Sequence, residues 1–359
     1  MKKIMVLGAG KIGTSIAKLL AKSGDYQVTL ADINQRALQR LDASFAVLTR
    51  VIDVTDVSIL IPELKRYDAV VSACSYHLNK GIAQAALQAG ISYFDLTEDV
   101  STTEFVRSLA INSAPNQIFL PQCGLAPGFI GILAHSMFHR FERVTKVKMR
   151  VGALPLYPSN MMMYNLTWST DGLINEYCNP CEAIVDGELV KVQALEGLER
   201  FSLDGIDYEA FNTSGGLGTL CETLNGRVSS LDYKTVRYEG HCYLMSFLTR
   251  SLKLNRRRDL LKDILEEAVP ITKQDVVLIF CEVDGWRDGL FEQEANVRKI
   301  YHQRLFDEQW SSIQITTAAS LCAMVDLYFE GKLPAQGFVR QEDVRYEDFI
   351  NNRFGQYYI

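Results

Sequence analysis

The chain has 359 residues, 48% of them hydrophobic and 22% charged, with a formal net charge of −6. That is enough material for two cores and offers no general attraction to nucleic acid, since the longest basic run, Arg256-Arg257-Arg258, is followed by acids at Asp259, Asp263, Glu266 and Glu267, as on a solvated helix face. The opening strand is too short for a signal sequence and no apolar run approaches the ~20 residues of a membrane span, so a cytoplasmic protein with no membrane partner is expected.

Lys3-Ile4-Met5-Val6-Leu7 reads as a strand, Gly8-Ala9-Gly10-Lys11-Ile12-Gly13 as a turn with G-x-G-x-x-G spacing, and Thr14 to Ser23 as a helix with apolar residues at Ile16, Ala17, Leu19 and Leu20. Gly8 allows the tight turn, Gly10 lets a pyrophosphate approach the backbone, and Gly13 lets helix and strand pack closely. The helix start at Lys11 and Ile12 supplies N–H groups and positive dipole. Gln27 to Ala31 forms a second strand ending in Asp32, close to the ~20-residue offset of a ribose-binding acid. A carboxylate there accepts the ribose hydroxyls and repels a 2′-phosphate, which favours NAD. Arg36 leaves NADP as second choice, and the alternative role of Asp32 is to cap a helix from Asn34.

The β–α alternation continues with a helix from Asn34 to about Ala43, a strand near Ala46 to Val51, a helix near Val57 to Arg66 and the strand Ala69 to Ala73. Ile33 and Asp53, beyond the second and third strands, join the cofactor set. Cys74-Ser75-Tyr76-His77 then lies at the carboxyl edge of the sheet, where open α/β sheets bind ligands, so Cys74 and Ser75 are placed beside the nicotinamide half. After a helix from Leu78 to Ala89, stopped by Gly90, come the strand Tyr93 to Thr97, a helix around Glu104 to Ala110, and the strand Ile118 to Leu120. Asp95, Thr97 and Cys123 converge on the same edge. Asp95 and Cys123 are candidate catalytic groups, with a loop anchor and a small buried residue as their respective alternatives.

Gly124-Leu125-Ala126-Pro127-Gly128 marks the exit from the first domain, and the helix from Phe129 to about Arg140 has its N-terminus, after Pro127 and Gly128, suited to the nicotinamide carboxamide. Next come a strand from Val144 to Val151 and a turn at Gly152-Ala153-Leu154-Pro155. From Cys181 to Phe211, short apolar runs alternate with Asp186-Gly187 and Asp204-Gly205, both hairpin signals. Helices near Leu217 to Asn225, His241 to Lys253 and Arg257 to Ala268, with strands near Asp275 to Val283 and Gln293 to His302, complete a largely antiparallel layer. A final helix, Ser311 to about Gly331, is expected to return to the first domain. The fold class is therefore α/β: a Rossmann-type doubly wound parallel sheet at 1–127 and 311–359, and a second α+β domain with a mixed, largely antiparallel sheet at 128–310.

Eight cysteines scattered through apolar segments suit reduced thiols in a chain too large to need a disulfide framework. Cys178 and Cys181 lack two further zinc ligands, and His135 and His139 lack the Glu of an H-E-x-x-H site, so no metal is expected.

Several segments resemble the saccharopine dehydrogenase-like family, which includes lysine 6-dehydrogenases: Gly8 to Gly13, Gly124 to Gly128, Gly152 to Pro155, Tyr164-Asn165-Leu166-Thr167-Trp168-Ser169, Ala210-Phe211 with Gly216-Leu217, Leu220 to Leu224, Arg237-Tyr238-Glu239-Gly240-His241 and Phe338 to Glu342. The resemblance implies a Rossmann domain, an inserted substrate-binding and dimerisation domain, a homodimer, and NAD(P)-dependent oxidation at a C–N bond of a lysine-type amino acid. The sequence departs from it at Trp168-Ser169-Thr170-Asp171, where many relatives carry Trp-Ser-Pro-Arg. An acid cannot replace that guanidinium, which speaks against saccharopine itself as substrate.

Hydride leaves a C–H beside nitrogen only when that nitrogen is deprotonated, so a base and a carboxylate clamp are required. His241 is the first candidate base, with a helix cap or core hydrogen bond as its alternative. Arg237 is the best remaining clamp, Glu222 a candidate for a substrate ammonium, and Tyr164, Asn165 and Trp168 a polar-edged pocket wall. A carboxynorspermidine dehydrogenase-like reductive enzyme and a non-catalytic NAD-binding sensor are the other readings of the same residues.

Overall fold

The computed structural model describes residues 1–359, which divide into two units, Met1–Phe129 with Thr316–Ile359, and Ile130–Ile315. In the first, β1 (Lys2–Leu7), α1 (Lys11–Ser23), β2 (Tyr26–Asp32), α2 (Gln35–Leu38), β3 (Val47–Val51), α3 (Val57–Leu64), β4 (Ala69–Ser72), α4 (Tyr76–Ala89), β5 (Ser92–Asp95), α5 (Val100–Ala110) and β6 (Ile118–Leu120) alternate. The strands are parallel in the order β3-β2-β1-β4-β5-β6, so the direction of winding reverses between β1 and β4. A parallel sheet is covered on both faces, which is why Ile4, Met5, Val6 and Leu7 are all buried with no alternation. Met5 and Leu7 join Leu60, Ile82, Ala86 and Val106 in one core cluster beneath α3, α4 and α5.

The helix after β2 is shorter than its pattern predicts. Asn34 caps α2, its Oδ1 accepting the Arg36 and Ala37 N–H groups, but the helix closes after Leu38, and a turn in which Asp42 accepts the Ser44 N–H takes the residues expected to continue it.

The second unit follows α6 (Phe129–Phe138) with β7 (Arg143–Pro155), α7 (Thr170–Cys178), β8 (Cys181–Val185), β9 (Glu188–Val192), β10 (Glu199–Leu203), β11 (Ile206–Asn212), α8 (Leu220–Leu224), β12 (Ser230–Tyr238), α9 (His241–Ser246), α10 (Arg258–Ala268), β13 (Asp275–Arg287), β14 (Leu290–Tyr301), β15 (Gln303–Leu305) and β16 (Glu308–Trp310). Its main sheet runs β10-β11-β12-β7-β13-β14, with β8 and β9 branching from β12, and only the β7–β12 pair is parallel. Asp186-Gly187 and Asp204-Gly205 close hairpins as expected, every one of these residues having positive φ, and Asp288-Gly289 closes a third that lengthens β13 and β14 beyond their predicted ends.

Gly152-Ala153-Leu154-Pro155 is not a turn. These residues continue β7, paired with Leu278, Val277, Val276 and Asp275 of β13. Gly152 is needed for close approach, since a Cβ there would sit 2.7 Å from the Val236 carbonyl oxygen, and Pro155 stands at the strand's end, where its missing N–H interrupts no ladder. The sheet curls: Lys299 of β14 lies 2.5 Å from Asp204 in the β10–β11 turn, although those strands are at opposite ends of the order. On the other face, Tyr164, Leu173, Tyr177, Phe211, Met245, Leu261 and Leu265 form a core under the helices.

The chain then runs through α11 (Ser312–Phe329), β17 (Gly337–Phe338), which pairs in parallel with β6, and α12 (Tyr346–Asn351). α11 is long and apolar enough to cross a bilayer but is 78% buried. Within the first unit its Tyr328 packs on Phe94 and accepts a hydrogen bond from Ser92, while Asp326 accepts the Tyr26 hydroxyl and the Arg353 guanidinium.

Candidate active site

In the first unit, Gly8 leaves β1 with φ of 100°, and a Cβ there would lie 2.8 Å from the Ala73 carbonyl oxygen. A Cβ on Gly13 would lie 1.9 Å from the Gly8 oxygen, so backbone proximity fixes both positions as glycine. Gly10 is different: a Cβ would meet no atom within 4 Å, and α1 starts there without a side-chain cap. Lys11 is exposed and Ile12 half-buried in the first turn. Open backbone at a helix N-terminus is a phosphate cradle. Asp32 ends β2, its Oδ2 accepting the Ala9 N–H at 2.7 Å and its Oδ1 the Asn34 N–H at 2.7 Å, so the carboxylate ties the glycine turn to the strand end while each oxygen keeps a lone pair for a ribose hydroxyl. Ile33 beside it is 65% exposed. Asp53 is exposed beyond β3, and hydrogen bonds from Thr55 hold its carboxyl below the ordinary range. These residues fit a dinucleotide.

After β4, burial pushes the Cys74 thiol up to about 11, and the Ser75 hydroxyl pairs with His77 Nδ1 at 2.9 Å. Asp95 and Cys123 are fully buried, and neither presents an open atom. Asp95 Oδ1 accepts the N–H groups of Thr97 and Gln122, and its Oδ2 accepts the Tyr93 hydroxyl at 2.7 Å and Asn79 Nδ2 at 3.4 Å. It is an anchor for two strand ends, and it holds Gln122 at φ of 66°, in the left-handed region. Thr97 is 2% exposed, and its hydroxyl accepts the Asp99 N–H. The Cys123 thiol faces the Leu120 carbonyl and Gln341, and burial drives its pKa well above that of a free thiol, contrary to a reactive role. Gly128, after the buried Pro127, could not carry a Cβ, which would sit 1.9 Å from the Gly124 oxygen.

The second unit assembles a different constellation. Arg237 on β12 is 3% exposed. Its Nε donates to the Tyr177 hydroxyl at 3.0 Å, its Nη1 to the Val236 carbonyl at 2.8 Å, and its guanidinium lies 5.1 Å over the Tyr164 ring. Nη2 has no protein acceptor and no carboxylate lies within ion-pair distance. Arg150, equally buried, is by contrast paired with both Glu199 and Asp232. The ring under this cation, Tyr164, begins a stretch in which Tyr164 Oη, Asn165 Oδ1 and Thr167 Oγ1 are buried without hydrogen-bond partners, and Thr213 Oγ1, just beyond β11, is left the same way.

His241 is wholly buried against the rings of Tyr164, Tyr177 and Phe211. Its Nδ1 lies 2.9 Å from the Met162 carbonyl and its Nε2 3.1 Å from the Tyr177 hydroxyl. Burial, then the Arg237 charge, lowers its pKa to about 3, so it is neutral. Both nitrogens are occupied and the affinity for protons is low, which removes it as the general base. Glu222 is exposed on α8 rather than beside Arg237. The acid in the cluster is one that sequence reasoning missed, Glu176 of α7, 6% exposed and acting electrostatically on Arg237, Tyr164 and Tyr233. The helix is buried on nearly every side, polar Thr170 and Asn175 included, so no local sequence signal marked Glu176. Trp168 is half-buried and packs on Gly172, and Asp171, at the departure from the family pattern, pairs with Lys262 at 2.6 Å.

Comparison with known proteins identifies the family of both units. The family model for the saccharopine dehydrogenase NADP binding domain matches residues 4–117, and that for the saccharopine dehydrogenase C-terminal domain matches residues 124–354. Mitochondrial alpha-aminoadipic semialdehyde synthase of Rattus norvegicus is 20% identical over 198 residues, 53% of this chain and 21% of its own length, so the chain spans about a fifth of that relative. Among solved structures, apo saccharopine dehydrogenase (L-Glu forming) of Saccharomyces cerevisiae superposes with a TM-score of 0.81 at 16% identity, covering 99% of this chain and 98% of that one. The C. glutamicum DAP dehydrogenase in complex with DAP gives 0.51 at 11% identity, covering 99% and 97%. At such identities the structures show the shared fold, a Rossmann-like parallel sheet with a second, mixed-sheet domain. The cofactor implied by the matched domain is a nicotinamide dinucleotide, and with both family models covering nearly the whole sequence, the chain belongs to the saccharopine dehydrogenase family.

Proposed function

We propose that the chain is an NAD(P)-dependent oxidoreductase acting on a C–N bond of a lysine-type amino acid. The observation that carries this reading is Arg237, a buried guanidinium with no ion pair and one open edge, stacked over Tyr164, whose hydroxyl is buried without a partner. A buried cation without a counterion is costly, and a carboxylate from a ligand removes that cost with two charge-assisted hydrogen bonds. Arg150 and Lys234 are already paired, so the cluster offers one guanidinium and suits one substrate carboxylate, in keeping with a lysine-type molecule rather than saccharopine.

In this reading Arg237 holds the carboxylate, Glu176 takes the ammonium role that sequence assigned to Glu222, and Tyr164 and Asn165 bind the polar end of the substrate. Gly8, Gly10, Gly13 and Asp32 hold the dinucleotide, which when bound exchanges a hydride with the carbon next to nitrogen. Asp95 orders the strand ends at that edge without exchanging a proton. NAD is the proposed preference, supported by Asp32, although the matched family domain is described as NADP-binding. We also propose a cytoplasmic homodimer: the eight cysteines are all free, as suits a reducing compartment, and the edge strand β14 exposes Leu290, Phe291, Val297 and Tyr301.

The test is reduction of NAD or NADP, read as nicotinamide absorbance, with L-lysine, saccharopine and polyamine-like amines. Turnover is expected with at least one, and Arg237→Gln should lower kcat/KM on the order of 100-fold, the equivalent of about 3 kcal/mol for a buried charge-assisted pair. No turnover across the panel, or an unchanged kcat/KM in the variant, would contradict the assignment.

A further inference from the structure

We infer that Tyr177 is a positioning residue that aims the open edge of Arg237, an inference resting on the carboxylate-binding reading of that guanidinium. The polarity of the chain Met162–His241–Tyr177–Arg237 follows from the chemistry of its ends. The Met162 carbonyl can only accept, so His241 Nδ1 carries the proton, across 2.9 Å. A neutral imidazole then has an acceptor at Nε2, and the Tyr177 hydroxyl, 3.1 Å away, must donate to it. Arg237 Nε can only donate, so it points at the remaining lone pair of the same phenol oxygen, at 3.0 Å. Each group has one permitted role.

The geometry leaves little freedom elsewhere. Tyr177 is 2% exposed on α7, with its ring edge-on to both His241 and Phe211. Nη1 is held by the Val236 carbonyl. With Nε and Nη1 fixed on two oxygens, the guanidinium plane cannot rotate, and the edge bearing Nη2 is left for a ligand. His241 therefore acts on the substrate only at second hand. It locks the phenol hydrogen, the phenol locks Nε, and the open edge is set before any ligand arrives, which is the condition for bidentate recognition of a carboxylate.

Binding of glutarate and of L-lysine to the full chain, measured by calorimetry in the presence of NAD, tests the inference in wild type, Tyr177→Phe, Arg237→Gln and the double variant. Tyr177→Phe is expected to weaken carboxylate binding at least tenfold with unchanged affinity for NAD. In the Arg237→Gln background it should have no further effect, because a residue acting through Arg237 has nothing left to act on, whereas a merely structural role would add its cost again. His241→Gln, which keeps an acceptor for the phenol, should restore most of the affinity lost in His241→Leu, and this pair carries the test if Tyr177→Phe does not fold. ¹⁵N-histidine NMR should show the Nδ1–H tautomer in wild type and a moved Nε2 resonance in Tyr177→Phe. Equal carboxylate affinity in wild type and Tyr177→Phe, additive losses in the double variant, or no carboxylate binding by wild type would overturn the inference. Failure to turn over any amine while the binding results hold would instead count against the proposed reaction alone.

Discussion

Replacing Asp95 by Asn separates an anchoring carboxylate from a catalytic one. Asp95 has no solvent exposure, and burial raises its pKa from the ordinary 3.8 to about 6 against the opposing bonds from Thr97, Tyr93 and Gln122. A rise of about two units is equivalent to about 3 kcal/mol, at roughly 1.4 kcal/mol per unit. Because the folded state holds the proton more tightly than the unfolded one, the stabilisation is fully present below about pH 4 and is lost as pH rises through about 6. Asn keeps an oxygen for the Thr97 and Gln122 N–H groups and cannot ionise. Urea unfolding followed by circular dichroism from pH 4 to pH 8 should therefore show wild type losing about 3 kcal/mol relative to Asp95→Asn between pH 4 and pH 7, with a plateau above. At pH 7 the variant should keep kcat within a few-fold. Parallel stability profiles would refute the burial argument, and a loss of kcat of about a thousandfold or more would return Asp95 to the chemistry.

Gly10→Ala should leave the melting temperature unchanged, since its Cβ meets no protein atom within 4 Å, yet weaken dinucleotide binding on the order of tenfold, while Gly13→Ala, with its Cβ 1.9 Å from the Gly8 oxygen, should lower both. Equal effects in calorimetry and thermal melts would remove the cradle from that backbone. His241→Gln should leave the pH dependence of kcat/KM between pH 6 and pH 8 in place, because a histidine whose pKa is lowered to about 3 does not titrate there; disappearance of an acid limb in the variant would restore His241 as the base. Asp32→Ala should weaken NAD binding and raise the affinity ratio of NADP to NAD, and an unchanged ratio would show that the ribose is held elsewhere.

The first unit was legible because its signals are local. Glycine spacing, an acid at a strand end and a left-handed glycine closing a helix all act within a few residues, and the reversal of winding follows from uninterrupted β–α alternation. The hairpins at Asp186-Gly187 and Asp204-Gly205 were legible for the same reason. Gly152 to Pro155 misled because a glycine and a proline three apart resemble a turn until a strand more than a hundred residues later pairs with them. The site was less legible than the fold. Arg237 was singled out by residue type and context, but nothing local separates the buried Glu176 from the exposed Glu222. Nor does a sequence reveal that every hydrogen-bonding atom of Asp95 and His241 is already engaged, for that depends on Gln122, Met162 and Tyr177 arriving from distant segments.

The division of the first unit between Met1–Phe129 and Thr316–Ile359 sets the order in which the molecule can be completed. When the ribosome has released β1 to β6, the sheet has α3, α4 and α5 over one core cluster and α1 against β1 and β2, but Phe94 and Tyr26 still wait for Tyr328 and Phe329. Those rings are made only after the entire second unit. The nascent dinucleotide sheet therefore spends the synthesis of the second unit, Ile130–Ile315, with the aromatic surface around Phe94 and Tyr26 still bare beside α1, a period in which misassembly competes with completion.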